Sequence, residues 1–504
     1  MIVLSETGDS ETMNVYRNVQ KLKIEGRAFI NGKYVEPDTG EYLRKTSPAD
    51  GSVLPGIAVC GEAELEKAVR TAEEAFESGV WSRIPVRARK EAILKLADLM
   101  EKNLEELALL DTLETGRAYS NYTEDSLPKA IQAMRYFAEA SDKLYGKAIQ
   151  DRGDEFGLVV REPLGVVGLI TSWNDPLVVD AWKLAPALLM GNSVIMKPAE
   201  EASFSLLRLA SMTREAGIPD GVFHVLPGYG AYLGKGLALH RDVRGISFTG
   251  SVPTGKKIME YAGKSNMKRV CLECGGKGPY IVTARCGNVE EAARVLAANM
   301  FYNQGQICSA PSRALVSEEL YEPFVRAFCA ESERYVPGDP FETENKVGCV
   351  VSRKQYDRVC GWIDTGVSEG ARLYQAKAQK PHHPEACCIQ PAVFTDVTPD
   401  MQIAREEIFG PVACVLKVKN TEEALAVAND SEFGLAGAIW TDNTDEAYRA
   451  ARALRVGLVH INSYGNDDDS APFGGVRQSG TGKDKSVYAF ESYCDKKTVW
   501  MHFR

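Results

Sequence analysis

From Gly157 onward the chain alternates short β-branched runs, bounded by glycine and proline, with stretches of helical periodicity. "GLVVREPLGVVGLITSW", "NSVIMKP", "GVFHVLPG" and "GISFTG" form a first set of runs. "GPYIVT", "SRALVS", "CVLKVK", "LAGAIWT" and "GLVHIN" form a second. Near-continuous apolar strands separated by helices imply parallel sheets covered on both faces, hence an α/β fold. In such sheets ligands gather at the carboxyl ends of the strands, so the residues that follow each run are the ones to inspect.

The N-terminal third reads differently. "KIEGRAFINGKYVEP" alternates apolar and polar residues around "NGK", the pattern of a hairpin with a tight turn. From Ala63 to about Ala140 apolar residues recur every three or four positions, and two of the helical runs stop at glycine. The first ~20 residues are polar and are expected to be a loosely attached tail. "SYCDKKTVWMHF", at the other end, reads as a strand without a neighbour in sequence. Such an edge needs a partner, which another subunit can supply. At 504 residues the chain exceeds one core, and two or three domains are expected.

Bulk properties exclude some functions. A net charge of -10 and the lack of a dense Lys/Arg block argue against a nucleic-acid partner. No apolar stretch reaches ~18 residues, so no membrane span is expected. "MIVLSETGDSETMN" has no secretory signal pattern. A cytoplasmic protein is expected, with its 12 cysteines reduced. "CLEC" (Cys271, Cys274) and "HHPEACC" (His382, His383, Cys387, Cys388) resemble metal or redox spacings. The first lacks a second CxxC and the second suits a surface loop, so no metal is expected.

"FYNQGQICSA" places Cys308 among small and amide residues. A thiol needs an activating base to become a nucleophile, and no histidine lies near it in sequence. Glu273 in "LECGGKGP" could serve if shielded from water. Asn174 in "TSWNDPL" follows an apolar run, and its amide can donate to an oxyanion. Lys197 and Glu200 end the run "VIMKPAE", where a lysine and a carboxylate can bind hydroxyls. "FTGSVPTGKK" offers Gly250, Ser251 and Gly255 at a helix start suited to phosphate. "REEIFGPV" pairs Glu407 with the aromatic Phe409. Taken singly, each of these could be a turn, a surface ion pair or core.

In this order and with these identities, "SWNDP", "KPAE", "FTGSVPTGK", "LECGGKGP", "NQGQIC", "EEIFGPV" and "PFGGVRQSG" resemble the NAD(P)-dependent, non-acylating aldehyde dehydrogenase superfamily over about residues 25–500. The resemblance implies an aldehyde-dehydrogenase-like α/β fold. It has a Rossmann-type NAD-binding domain (1–143 and 164–274), an α/β catalytic domain (275–478) and a small β oligomerisation element (144–163 and 479–504). It implies Cys308 as nucleophile, Glu273 as general base, and Asn174 with the Cys308 N–H as oxyanion hole. Lys197 and Glu200 match the groups on the adenosine ribose. Gly250 and Ser251 match the pyrophosphate and nicotinamide region, with Gly255 on the following helix. Glu407 matches the carboxylate on the nicotinamide ribose, with Phe409 beside it, and Trp173 of the first block is counted with these cofactor residues. Glu200 favours NAD over NADP. A homodimer or homotetramer is implied, with the last strand extending a neighbour's sheet.

The chain departs from the family pattern at the substrate side. Asp175 stands where many relatives carry an aromatic residue, and Asp180 where an apolar one is common. Asp467, Asp468 and Asp469 enter the loop at the tunnel mouth, and Asp125 joins them by rough alignment. Asp484 stands at a proton-relay position usually held by Glu. An acidic tunnel through Asp175, Asp180 and Asp467 would favour a cationic or strongly hydroxylated aldehyde, hence an aminoaldehyde-like or otherwise polar substrate. The alternative is that these aspartates are solvated or paired with Lys129 and Lys183. Semialdehyde oxidation, with Arg313 in view, is the runner-up. A thiol esterase or hydrolase without cofactor, or a binding protein on a retired enzyme fold, are the readings from other classes.

Overall fold

The computed structural model describes residues 10–149, 153–377, 380–465 and 467–503. The β-branched runs of the first set lie side by side. Arg269–Cys274, Val243–Gly250, Val166–Ile170, Ser193–Lys197 and Phe223–Val225 are successive parallel neighbours. Period-two alternation explains why the runs are almost wholly apolar. Val167, Leu169, Val194 and Met196 pack with Ile93, Leu96, Phe137 and Leu188 of the covering helices. Val166, Ile170, Ile195 and Ile246 face the other way, against Leu65, Val69 and Leu237. Each such buried side chain contributes roughly 1.5–3 kcal/mol.

The hairpin closes one edge of this sheet. Ala28–Ile30 pairs antiparallel with Lys33–Val35 around Asn31 and Gly32, whose φ values are 53° and 75°. Positive φ at both central residues is what a two-residue hairpin turn requires. The other edge receives Gly480–Thr481, antiparallel to Leu272 and Glu273, so the chain returns to the first sheet after residue 479. The second set of runs makes a seven-stranded sheet. Pro279–Val282, Arg313–Ser317, Val412–Val418, Ala392–Thr395, Ala436–Trp440 and Leu458–Ile461 are parallel within it.

The structure corrects several expectations. The N-terminal segment is tied down from residue 10. Helix Ser10–Val19 buries Val15, Tyr16 and Val19, and the Tyr16 hydroxyl donates to Asp339. The apolar i, i+1, i+4 stripe within a polar segment is the physical reason. Residues 1–9 of the expected tail lie outside the described residues. "CLEC" is the strand Arg269–Cys274, and its thiols point to opposite faces, Cys271 toward Gly482 and Cys274 toward Gly255. Among the described residues no group of three or more His, Cys, Asp or Glu could hold a metal. No described helix is long and apolar enough to cross a membrane. The terminal strand Cys494–His502 pairs along its length with Glu155–Pro163 of its own chain, and Lys147–Ile149 completes this small sheet. Its outer edge carries half-exposed Val499, Trp500 and Met501.

His224 couples the hairpin to the parallel strands. It is fully buried on Phe223–Val225. Its Nδ1 accepts from the Asn31 N–H at 3.3 Å, and its Nε2 pairs with the Gly221 carbonyl at 2.9 Å. Burial pushes its pKa down to about 4. The unfolded imidazole protonates first as pH falls, so this group's stability is complete above about 6.5 and lost toward 4, worth about 3 kcal/mol. Urea unfolding should therefore show a falling midpoint from pH 6.5 to 4, and His224→Gln should flatten that slope. An unchanged slope in the variant assigns the pH dependence to other groups.

Candidate active site

A cleft of about 360 Å³ opens at the carboxyl ends of the first sheet. Ser172, Trp173 and Asn174 follow the strand Val166–Ile170, Gly250 and Ser251 end Val243–Gly250, and Glu273 to Gly275 end Arg269–Cys274. The second sheet's side contributes Cys308, Val351, Ser352, Gln355, Glu407 and Phe409. Cys308, Glu273, Asn174, Trp173, Gly250, Ser251, Glu407 and Phe409 therefore share one cleft. Asp484 and Trp182 line it as well.

Cys308 is carried by an unusual backbone. Asn303, Gln304 and Gly305 have φ of 48°, 54° and 67° in succession. A Cβ on Gly305 would lie 2.1 Å from the Gly410 carbonyl, so glycine is required there. Two non-glycine residues in this region cost free energy and persist only when their surroundings hold them. Their side-chain amides do so. Asn303 Nδ2 donates to the Asn174 carbonyl at 2.8 Å. Gln304 takes both polar groups of Ile389, accepting its N–H at 3.1 Å and donating to its carbonyl at 3.2 Å. Gln306 Oε1 accepts from the Val351 N–H at 3.0 Å. Their role as positioning residues was not read from the sequence, although the run of amides was visible.

The Ser172 hydroxyl donates to Asn174 Oδ1 at 2.8 Å, which leaves the NH₂ end of that amide as the donor it can offer. Glu273 is buried, and its carboxyl oxygens make no side-chain hydrogen bond. Burial, then the nearby charge of Asp484, hold its pKa well above the usual carboxylate range. Burial also pushes the Cys308 thiol up to about 12, with Glu273 and Glu407 adding to it. Behind Glu273 lies a lysine the sequence did not suggest as a functional group. Fully buried Lys183 donates to Asp484 at 2.7 Å and to Ser247 at 3.1 Å. Asp484 is thus already committed to an ion pair.

The cofactor candidates form a second region. Lys197 Nζ reaches the Pro198 carbonyl at 2.8 Å and Glu200 at 3.1 Å, and Glu200 accepts from the Gly230 N–H at 2.7 Å. From below, the buried Lys45–Glu114 pair holds this turn, with Lys45 on the Glu200 carbonyl at 2.8 Å. Lys197, Glu200 and Gly255 stand outside the immediate lining of the cleft, though Glu201 belongs to it. Ser251 caps helix Val252–Lys264 without a side-chain bond to its first N–H groups, which stay available to an anion. Gly255 lets that helix approach the sheet, since a Cβ would meet Cys274 Sγ at 3.0 Å. Glu407 accepts from the Gly276 N–H at 3.2 Å, and burial raises it to about 7. Phe409, at φ 60°, meets Trp173 edge-on with ring centroids 5.2 Å apart. Hydroxyl-binding groups, an open helix start and a carboxylate on glycine backbone together fit a dinucleotide.

The substrate aspartates are a correction. Asp175, Asp180 and Asp467 do not line the cleft that holds Cys308. Asp175 is ion-paired at 3.0 Å with buried Arg117, which lies between the rings of Tyr122 and Tyr302. Asp180 is buried, and burial raises it to about 7. Asp467 pairs with Lys485 at 3.2 Å, and Asp125 with Lys129 at 2.7 Å. Cation pairing at Asp175, Asp467 and Asp125, and burial at Asp180, remove the free negative charge that an acidic tunnel needs. Arg313 is also buried, donating to the carbonyls of Val427 and Ala428. It is not placed to meet a substrate carboxylate.

The profile of the aldehyde dehydrogenase family matches residues 34–499. The chain is 42% identical over 480 residues to the NADP/NAD-dependent aldehyde dehydrogenase PuuC of Escherichia coli, covering 95% of this chain and 96% of that one. It is 39% identical over 482 residues to an aminoacetaldehyde dehydrogenase of Pseudomonas aeruginosa, covering 95% and 96%. Among solved structures, the aldehyde dehydrogenase KauB from Pseudomonas aeruginosa superposes with a TM-score of 0.96 at 44% identity, over 98% of this chain and all of that one.

With its pKa near 12, the Cys308 thiol of the cofactor-free protein is almost wholly protonated at neutral pH. Its alkylation by iodoacetamide, followed by peptide mass analysis, should accelerate about tenfold per pH unit from 7 to 10 without levelling. A plateau near pH 8 would show an ordinary or activated thiol instead.

Proposed function

The chain belongs to the aldehyde dehydrogenase family and is an NAD(P)-dependent aldehyde dehydrogenase, and from that premise we propose that it uses NAD to oxidise a polar, aminoaldehyde-like substrate through a thioester on Cys308. The observation that carries the mechanism is the convergence of Cys308, the Asn174 amide and the water-shielded Glu273 on one cleft. Cys308 gives up its proton to solvent, and the thiolate sulfur bonds to the aldehyde carbon as the C=O π pair moves to oxygen. The negative charge that develops on oxygen is met by the Asn174 NH₂ and the Cys308 N–H. The chemistry that a bound nicotinamide supplies is a hydride acceptor. Loss of hydride from the carbon held by Cys308 leaves a thioester. Glu273 then takes a proton from water, whose oxygen displaces the thiol and releases the acid. One difficult oxidation becomes two shorter steps.

The residues that would hold the cofactor are Lys197 and Glu200 on the adenosine ribose, and Gly250 and Ser251 at the pyrophosphate. Gly255 lets the helix start lie close to the sheet. Glu407 would take the nicotinamide ribose, with Phe409 and Trp173 beside it. The Glu200 carboxylate favours a free 2′-hydroxyl over a phosphate by like-charge repulsion. PuuC is NADP/NAD-dependent, so the preference rests on this carboxylate. A polar or cationic substrate is supported by the likeness to an aminoacetaldehyde dehydrogenase and by aromatic faces in the cleft. Trp182 and Phe473 line it with ring centroids 5.4 Å apart, and Lys485, neutralised by Asp467, already lies 5.6 Å over the Trp182 ring. Such faces attract cations. The outer edge of Cys494–His502 suits a homodimer or homotetramer in which that strand joins a neighbour.

Stopped-flow NADH formation tests the roles. Cys308→Ala should lose oxidation and keep NAD binding, and Asn174→Ala should slow turnover by about 10²–10³. Glu273→Gln should keep the first burst of NADH and lose steady turnover. Normal turnover in Cys308→Ala would remove the thiol from the mechanism. An aldehyde panel tests the substrate class. Aminoaldehydes should show kcat/KM at least about tenfold above alkanals of equal length, the worth of one well-placed cation contact. A preference for long alkanals would end that reading.

A further inference from the structure

Beside the cleft, but not in it, two thiols from distant segments meet. Cys349 Sγ lies 3.1 Å from Cys388 Sγ, across 39 residues of sequence. Cys349 is buried, and Cys388 is partly exposed. His382 lies beside Cys388, near enough to favour its thiolate, and its Nε2 is oriented by the Ala49 carbonyl at 2.9 Å. The Cys349 S–H, then His382, hold the Cys388 thiol below its ordinary range, while the same contact raises Cys349. One sulfur is thus favoured as thiolate and its neighbour as thiol. That is the division of labour in a nucleophilic and a resolving cysteine.

The position of the pair matters as much as its chemistry. Cys349 N–H donates to the Gly116 carbonyl at 2.7 Å, and Val350 N–H to the Cys387 carbonyl at 2.8 Å, so the two segments run together. Two residues beyond Cys349, the Val351 N–H is held by Gln306, and one residue beyond Cys388, Ile389 is held by Gln304. Both thiol-bearing segments therefore end on the amides that support the Cys308 loop. Val351 and Ser352 also line the cleft.

We propose that Cys349 and Cys388 are a modification site, a dithiol that a hydroperoxide converts reversibly to a disulfide, and that the disulfide is felt at the 303–308 loop through Gln304 and Gln306. The Cys388 thiolate attacks the peroxide, an S–O bond forms as O–O breaks, and the alkoxide or hydroxide leaves with a proton from water. The resulting sulfenic acid is attacked by Cys349. The S–S bond forms as S–O breaks, and the departing hydroxide takes the Cys349 proton to leave as water. Two cysteines lose two electrons, and the peroxide is reduced to an alcohol, or water, plus water. Formation of the bond draws the sulfurs from 3.1 Å to about 2.05 Å, which has to be absorbed by one or both segments.

The full-length protein carrying Cys308→Ala, which removes the competing thiol, is treated with hydrogen peroxide and digested without reductant. A Cys349–Cys388 linked peptide is expected, lost on adding dithiothreitol and absent when Cys388→Ser is also present. Hydrogen exchange of peptides spanning 301–310 should change at least twofold on oxidation, return with dithiothreitol, and not change in the Cys388→Ser chain. Two reduced thiols after peroxide, a sulfinic acid on Cys388, or a link to Cys387 instead would overturn the proposed site. A linked peptide with unaltered exchange would overturn its coupling to the loop. Should Cys388→Ser fail to fold, Cys349→Ala serves as the control. These readouts do not use turnover, so they stand apart from the role proposed for Cys308.

Discussion

Three amide side chains, Asn303, Gln304 and Gln306, fasten the loop that ends in Cys308 to three different segments, through Asn174, Ile389 and Val351. The loop needs them because its backbone turns through three left-handed residues in a row. Such a path is locally unfavourable and survives only where its neighbours over-determine it. The same bonds tie the Cys308 loop to Asn174, since Asn303 grips the backbone of that residue, and both Cys308 and Asn174 line the cleft. Removal of one amide would release strain as well as a hydrogen bond. Its effect should therefore appear as misplacement rather than as simple loss of stability.

Around that loop, burial works on charge. Cys308, Glu273 and Glu407 are all pushed toward their neutral forms, each chiefly because water is excluded; Glu273 and Glu407 add to the effect at Cys308, and Asp484 adds to it at Glu273. The surrounding carboxylates have been neutralised by pairing: Asp484 with Lys183, Asp175 with Arg117, Asp467 with Lys485. A buried ion pair of this kind does little for net stability, but loss of one partner is expensive. These pairs explain how so many aspartates can stand near the site without making it an acidic tunnel.

Much of this was legible in the chain itself. Nine of the β-branched runs became strands, the Asn31–Gly32 turn formed, and helices stopped at Gly79 and Gly116 in left-handed conformations. The reading failed where one residue type carries two meanings. Ser10–Val19 was read for its polarity, although three apolar residues on one face suffice to dock a helix. Asp175, Asp180 and Asp467 were read for their charge, although that charge is set by the cation each meets, Arg117 and Lys485, or in the case of Asp180 by burial.

Local physics, written in neighbouring residues, determined the alternation of strand and helix, the turns and the residue types able to do thiol chemistry; the order of the motifs carried the resemblance to the family. Tertiary structure alone decided which side chains meet. Lys183 finds Asp484 across 301 residues, Cys349 finds Cys388 across 39, and Gln304 finds Ile389 across 85. Periodicity reports which face of an element is buried, but says nothing of what lies against that face. A pKa, an ion pair or a thiol–thiol contact depends on that opposing surface and on how little water remains between the two, and both exist only once the sheets have closed on each other.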